Sequence, residues 1–258
     1  MTQRTAAALI IGNEVLTGKV QEANVAHLAK ALFSLGIELR RVIVCPDEIP
    51  VIAEDLNALR AAHDLVFTSG GVGPTHDDVT VEAVAHAFGR EVIRSAEIER
   101  LLRRYHEGKG QTVTEAHLRL ANVVEGARLL RNAEVVWPTL VLENVFVLPG
   151  VPEIFRLKLT SLRSELERGD GFISAAVFTG CDEGSIARAL EDLAYAHPKV
   201  TIGSYLKWPG SNVVPAEQEY RVKVTFDGLE ENDVRAAADA FVATLADADF
   251  RWREGPGA

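Results

Sequence analysis

The chain has 258 residues, 47% of them hydrophobic and 25% charged, enough for one large domain or two smaller ones with full cores, and no composition suggesting disorder. Its formal net charge of −10, from 37 acidic and 27 basic residues, argues against broad nucleic-acid binding, which needs a positive face, but leaves a small anionic ligand open because backbone N–H groups can hold phosphate. No stretch is long enough to cross a bilayer, and Cys45 and Cys181 form no CxxC pair, so the expectation is no membrane partner, no zinc site, no disulfide framework and two buried free thiols.

Ala6 to Ile11 is a continuous apolar run that stops at Gly12, too short for a secretory leader, so the cytoplasm is the expected location. The run reads as a strand buried on both faces. A polar loop, Gly12 to Gly18, leads to a helix with Val25, Leu28, Ala29, Leu32 and Phe33 on one face and Gly36 just past its end. Leu39 to Val44 is a second strand, Pro46-Asp47-Glu48 turns the chain, and Ile49 to Ala62 is a helix. Leu65 to Thr68 is a third strand, followed by a glycine-rich loop and a helix over 79–88. This order predicts right-handed crossovers and a mostly parallel sheet covered on both faces, with ligands at the carboxyl ends of the strands.

Ser95 to Ala121 reads as helical, with Leu101, Leu102 and Tyr105 on one apolar face, Val113, Ala116 and Leu120 on another, and its charges as solvated faces. Val141 to Leu148 is a hairpin strand or a further core strand. Pro152 suits the first turn of a helix running to Leu166. Gly169 to Gly171 is the best boundary, giving domains 1–169 and 170–258. The second part reads as strand (172–178), helix (185–194), strand (200–204), a loop with Trp208-Pro209-Gly210, strand (220–226) and helix (231–246), a small α+β module of ferredoxin-like flavour. The tail from Gly255 is expected to fray.

The strongest motif is Ser69-Gly70-Gly71-Val72-Gly73-Pro74-Thr75-His76-Asp77-Asp78. Glycines directly after a strand let the backbone approach an anion, and the following helix adds its positive end. Thr75 and Asp78 also fit a capping box, which leaves the three glycines unexplained. The loop is not GxGxxG, because His76 stands three residues past Gly73. Nor is Gly12 to Lys19 a P-loop: five residues separate Gly12 from Gly18, and Val20 follows Lys19.

Asp77 and Asp78 beside a phosphate make sense with a divalent cation between them; the alternatives are a cap for Asp78 and an exposed charge for Asp77. Glu14 lies on the loop after strand one, and Asp47 and Glu48 on the loop after strand two, so Glu14, Asp47, Asp77 and Asp78 should share one rim. Asn13 and Asn24 flank the first loop as ligand contacts or caps, and His76 is an acid–base candidate or a plain loop residue.

Ile11-Gly12-Asn13-Glu14-Val15-Leu16-Thr17-Gly18, the loop from Ser69 to Asp78, and Leu148-Pro149-Gly150-Val151-Pro152-Glu153, in that order, resemble the molybdopterin-binding (MoaB/Mog-like) domain. The nearest branches are the competence/damage-inducible protein A (CinA) family and the N-terminal domain of eukaryotic FAD synthase. The resemblance covers about Ala6 to Gly169 and continues through Asp182 to Ala187 and Gly203-Ser204-Tyr205. It implies a three-layer α/β/α sandwich with a mostly parallel sheet, a small C-terminal α+β module, and a homodimer or higher oligomer. It further implies a Mg-, Mn- or Co-dependent nucleotide pyrophosphatase acting on ADP-ribose or FAD. Molybdopterin binding with adenylyl transfer, or a silent ligand-binding regulator, are the alternatives.

Under the resemblance, Asp78, Asp77 and Asp47 are the catalytic candidates, and Asp78, Asp77 and Glu14 hold the metal. Gly70, Gly71, Gly73 and Thr75, with Gly12, Asn13, Pro149 and Gly150, contact a phosphorylated nucleotide or pterin. The amidase domain of many CinA proteins and the nucleotidyltransferase domain of FAD synthases are not in this sequence, so neither of those activities is expected of it.

Overall fold

The computed structural model describes residues 3–132, 135–166, 170–207 and 219–256. The chain divides into two compact units, residues 1–169 and 170–258. The first begins β1 (Thr5–Ile11), α1 (Asn13–Leu16), α2 (Asn24–Phe33), β2 (Glu38–Cys45), α3 (Ile49–Ala62), β3 (Leu65–Ser69) and α4 (Thr80–Phe88). It continues β4 (Val92–Arg94), α5 (Ala96–Glu107), α6 (Glu115–Arg119), β5 (Asn122–Val124), β6 (Arg128–Asn132), β7 (Val135–Leu142), β8 (Val145–Leu148), α7 (Pro152–Ser161) and α8 (Arg163–Leu166).

Six strands form one sheet in the order β2-β1-β3-β8-β7-β6. β2, β1, β3 and β8 run parallel, and β7 and β6 close the sheet as antiparallel neighbours. Alternation along β1 builds both cores. Ala7, Leu9 and Ile11 pack with Ile52, Leu56, Val84, Ile98 and Leu102 of α3, α4 and α5. Ala6, Ala8 and Ile10 face the other way, toward Leu28 and Leu32 of α2 and Phe155 and Leu159 of α7. The expected three-layer α/β fold with a mostly parallel sheet is therefore present, and β1 is buried on both faces. Register pairs Ile10 with Ser69 and Ser69 with Leu148, so the loops after β1, β3 and β8 emerge side by side.

Several elements differ from the sequence expectation. The helical stretch 95–121 is two helices, broken at Gly108-Lys109-Gly110, where Gly110 has φ +67. A left-handed residue cannot continue a right-handed helix. The apolar run 141–148 is a hairpin whose turn holds Glu143 at φ 51, with β8 entering the parallel sheet beside β3. β4 and β5 have three residues each, too few for any periodicity to register. The loop after β1 contains the single turn α1, and the helix begun by Pro152 divides at Leu162 into α7 and α8.

The second unit runs β9 (Ile173–Thr179), α9 (Glu183–Ala196), β10 (Thr201–Leu206), β11 (Val222–Gly228), α10 (Glu231–Val242) and β12 (Phe250–Glu254). All pairings in its sheet, β10-β11-β9-β12, are antiparallel, the split βαβ plan of ferredoxin-like modules. Val177, Val222, Val224, Phe226, Val234 and Phe241 form its core. β12 adds a strand to the expected order, and α10 ends at Val242, short of the expected 246. The tail is anchored as far as Pro256, whose carbonyl accepts from Arg253 at 2.7 Å. Gly169, the Trp208-Pro209-Gly210 loop, and Gly257 and Ala258 lie outside the described residues. Among the described residues no helix is long and apolar enough to cross a membrane.

Candidate functional site

The glycines after β3 do different jobs. Gly70 has φ +110 and passes so close to β1 that an added Cβ would stand 2.1 Å from the Ile11 carbonyl oxygen. Its N–H, expected to cradle phosphate, instead donates to the Leu148 carbonyl at 3.2 Å. The crossing of three strand ends takes that donor away from any ligand. Gly71, at φ +61, lies under Thr80, whose hydroxyl donates to the Gly70 carbonyl at 2.8 Å. The N–H groups of Gly71, Val72 and Gly73 donate to nothing among the described residues, so the open anion donors start one residue later than the motif suggested.

The Pro149-Gly150 loop is tied to this one. Asn24 is 4% exposed and its amide nitrogen donates to Ser69 Oγ at 2.9 Å and to the Gly150 carbonyl at 2.8 Å. Its Oδ1 is buried without a partner among the described residues. Asn24 thus neither caps a helix nor faces solvent; the carboxylate of Glu22 accepts from the Asn24 and Val25 N–H groups at the start of α2.

The capping box is only half realised. α4 begins at Thr80 behind an N-cap Val79 with no side-chain bond, so Thr75 caps no helix. Instead Asp78 Oδ2 accepts from the Thr75 N–H at 2.9 Å and from the Thr75 hydroxyl, closing a turn over Gly73. Asp78 Oδ1 accepts no hydrogen bond among the described residues. Glu14 bends back over Gly12 in the same manner. Asp47 accepts from the Asn13 N–H at 2.8 Å, which fixes the loop that carries Glu14. Burial raises the Asp47 pKa above the usual carboxylate range, the Asn13 hydrogen bond opposes it, and the charges of Glu14, Asp77 and Asp78 push it further up. The four carboxylates therefore do gather at one rim. Asp77 is exposed there, its carboxylate 3.9 Å from the His76 ring. Cys45, at the end of β2, is an inert thiol: burial first, then Asp55 and Asp47, push its pKa to about 12.

A cavity of about 650 Å³ opens at these loops. Of the expected residues, Glu14, Gly70, Gly71, Gly73, Asp78, Pro149 and Gly150 line it; Gly12, Asn13, Asp47, Thr75 and Asp77 do not. Its lining also includes the apolar side chains of Val81, Ile98, Leu120, Val123, Trp137 and Leu140. A lining that combines a glycine loop and carboxylates with apolar side chains suits a ligand that joins phosphates to a ring.

Sequence reasoning missed two cations here, Arg119 and Lys158. Lys158 sits three positions after Phe155 and four before Leu162, both buried, a spacing that marks a lysine on an otherwise core-facing stripe and could have flagged it. It is 7% exposed, and its Nζ donates to the carbonyls of Trp137 at 2.9 Å and Pro138 at 2.7 Å and to Thr139 Oγ1 at 3.4 Å. Burial pushes its pKa down to about 8. Because the folded state binds this proton less readily than the unfolded chain, stability should rise with pH between about 8 and 10.5. The gain has an upper bound of about 3 kcal/mol. Urea unfolding of wild type and Lys158→Met across that range checks this, the variant losing that part of the slope; equal slopes would contradict it.

No group of three or more His, Cys, Asp or Glu is placed to hold a metal ion among the described residues. Asp78, Asp77 and Glu14 therefore do not form a three-carboxylate cation site; Mg²⁺ needs only one or two carboxylates together with phosphate oxygens and water. The free Oδ1 of Asp78 and the carboxylate of Glu14, both on the cavity wall, are donors of the required kind.

Residues 7–167 match the family model described as a probable molybdopterin binding domain, and residues 171–253 match the middle domain of FAD synthase. An Archaeoglobus fulgidus protein is 32% identical over 237 residues, covering 92% of this chain and 96% of that one. A probable FAD synthase of Caenorhabditis elegans is 33% identical over 228 residues, 79% of this chain but 44% of that protein, so the chain spans under half of it. The solved CinA protein of unknown function from Thermoplasma acidophilum is 29% identical with a TM-score of 0.57, covering 63% of this chain and 98% of that one.

Proposed function

Since the chain belongs to the molybdopterin-binding domain family, with CinA-like and FAD synthase relatives, we propose that it is a metal-dependent hydrolase of a nucleotide diphosphate linkage, of the ADP-ribose or FAD type. The observation that carries this reading is the cavity itself, whose lining combines loop N–H groups that are unbonded among the described residues and Asp78 with apolar side chains. The N–H groups of Gly71, Val72 and Gly73, with the N-terminal end of α4, bind and orient the diphosphate. Asp78 and Glu14 hold a divalent cation, Mg²⁺, Mn²⁺ or Co²⁺, which supplies charge neutralisation on the phosphates when bound. Asp47 positions the Glu14 loop through Asn13, and Asp77 supports the negative potential of the rim. Water adds to one phosphorus, the P–O–P bond breaks, and two monophosphates leave.

The test is release of AMP from ADP-ribose and from FAD, with and without Mg²⁺, Mn²⁺ or Co²⁺. Metal-dependent release is the expected result. The family description, molybdopterin binding, supports a second reading as a pterin binder; adenylyl transfer, its catalytic form, would need ATP and pterin together. If neither diphosphate is cleaved under any metal, the hydrolase reading is withdrawn. Consumption of ATP only in the presence of pterin would then support the second reading, and ligand binding without turnover would identify a silent binder.

A further inference from the structure

A diphosphate entering this cavity meets Glu14, Asp78 and Glu82 on its wall, with Asp47 and Asp77 close behind. Like charge repels it unless fixed positive groups face it. The cationic side chains on that wall are Lys158 and Arg119. Lys158 is committed: its three N–H groups have the Trp137 and Pro138 carbonyls and the Thr139 hydroxyl as acceptors.

Arg119 is not. It ends α6, whose start is fixed by a reciprocal box: Thr114 Oγ1 accepts from the His117 N–H, and His117 Nδ1 accepts from the Thr114 N–H. One terminal nitrogen of Arg119 donates to the Asp78 main-chain carbonyl at 3.2 Å and stands 3.9 Å from Glu82 Oε1. The other nitrogens of the guanidinium bond to nothing among the described residues. Because the contact with Asp78 is to its carbonyl, Arg119 makes no bond to the carboxylate, whose Oδ1 stays unbonded among the described residues. The side chain is 33% exposed, open to the cavity yet anchored on one edge.

Resting on the hydrolase reading, we propose that Arg119 is a phosphate-binding residue of this site, its free edge pairing with oxygens of the diphosphate while Asp78 and Glu82 hold the other edge. A planar fork matches two phosphate oxygens at once, which a lysine cannot do. It also places fixed charge where negative charge grows as the P–O–P bond breaks. No proton leaves the guanidinium.

The probe is inorganic pyrophosphate, titrated calorimetrically into the full chain with MgCl₂ present. Arg119→Ala should weaken binding roughly tenfold or more, and Arg119→Lys should weaken it less. Added guanidinium chloride at millimolar concentration should restore part of the AMP release lost in Arg119→Ala, a rescue that a merely structural arginine would not give. If Arg119→Ala melts early, Arg119→Gln, which keeps the stem, replaces it under the same criterion. Binding of pyrophosphate within about twofold of wild type in the folded variant overturns the assignment and leaves the hydrolase reading standing. A wild type that neither binds pyrophosphate nor releases AMP overturns both.

Discussion

Gly70→Ala should destabilise the first unit by on the order of 3 kcal/mol or more. The added Cβ would lie 2.1 Å from the Ile11 carbonyl oxygen, and the residue sits at φ +110, where an L side chain is strained even with space around it. Both problems involve backbone. No rotamer relieves them, and moving β1 away would disturb its pairing with β2 and β3. Gly71→Ala is the milder neighbour. Its Cβ would meet the Thr80 hydroxyl at 2.3 Å, and a side chain can turn aside, though the bond from Thr80 to the Gly70 carbonyl would go with it. Gly150→Ala should be milder still, its Cβ coming 3.3 Å from Gly70 Cα. Thermal unfolding of the three variants should rank them in that order. A Gly70→Ala protein melting within about 2 °C of wild type would mean that the strand crossing is not as tight as described.

This ranking shows what the sequence could and could not say about the loop. Three glycines after a buried strand announced a close backbone approach, and the approach is there. Which partner takes the Gly70 N–H depends on β8, and β8 lies beside β3 only because a hairpin turn at Glu143 returns the chain. Periodicity within one segment carries no information about that neighbour. The same limit hid Arg119. On a continuous helix over 95–121 its charge reads as solvated; the break at Gly108–Gly110 and the separate cap of α6 bring it to the cavity instead. β12 does carry a readable signal, since Phe250, Arg251, Trp252 and Arg253 alternate apolar with polar, and its backbone completes the second sheet. The carboxylate rim was legible for a different reason. Loops at the carboxyl ends of neighbouring parallel strands must emerge together, so their acids share an edge whatever the details of packing.

Asp78→Ala should reduce metal-dependent AMP release by about a thousandfold or more while costing only about 1 kcal/mol of stability. The two oxygens of this carboxylate separate the roles. Oδ2 closes the turn with the Thr75 N–H and hydroxyl, at the surface, where water can take over both bonds. Oδ1 is unbonded among the described residues, on a side chain that lines the cavity. Asp78→Asn discriminates further. An amide can keep its oxygen toward Thr75 and preserve the turn, but it removes the negative charge and presents nitrogen in place of the second oxygen. If the carboxylate serves to hold a cation against phosphate, both variants should be inactive, and Asp78→Asn should melt like wild type. If Asp78 serves only to shape the loop, Asp78→Asn should stay active and Asp78→Ala should lose activity only as far as the turn loosens. A fully active, fully folded Asp78→Ala would remove this residue from the chemistry and move the cation to Glu14 and its neighbours on the first loop.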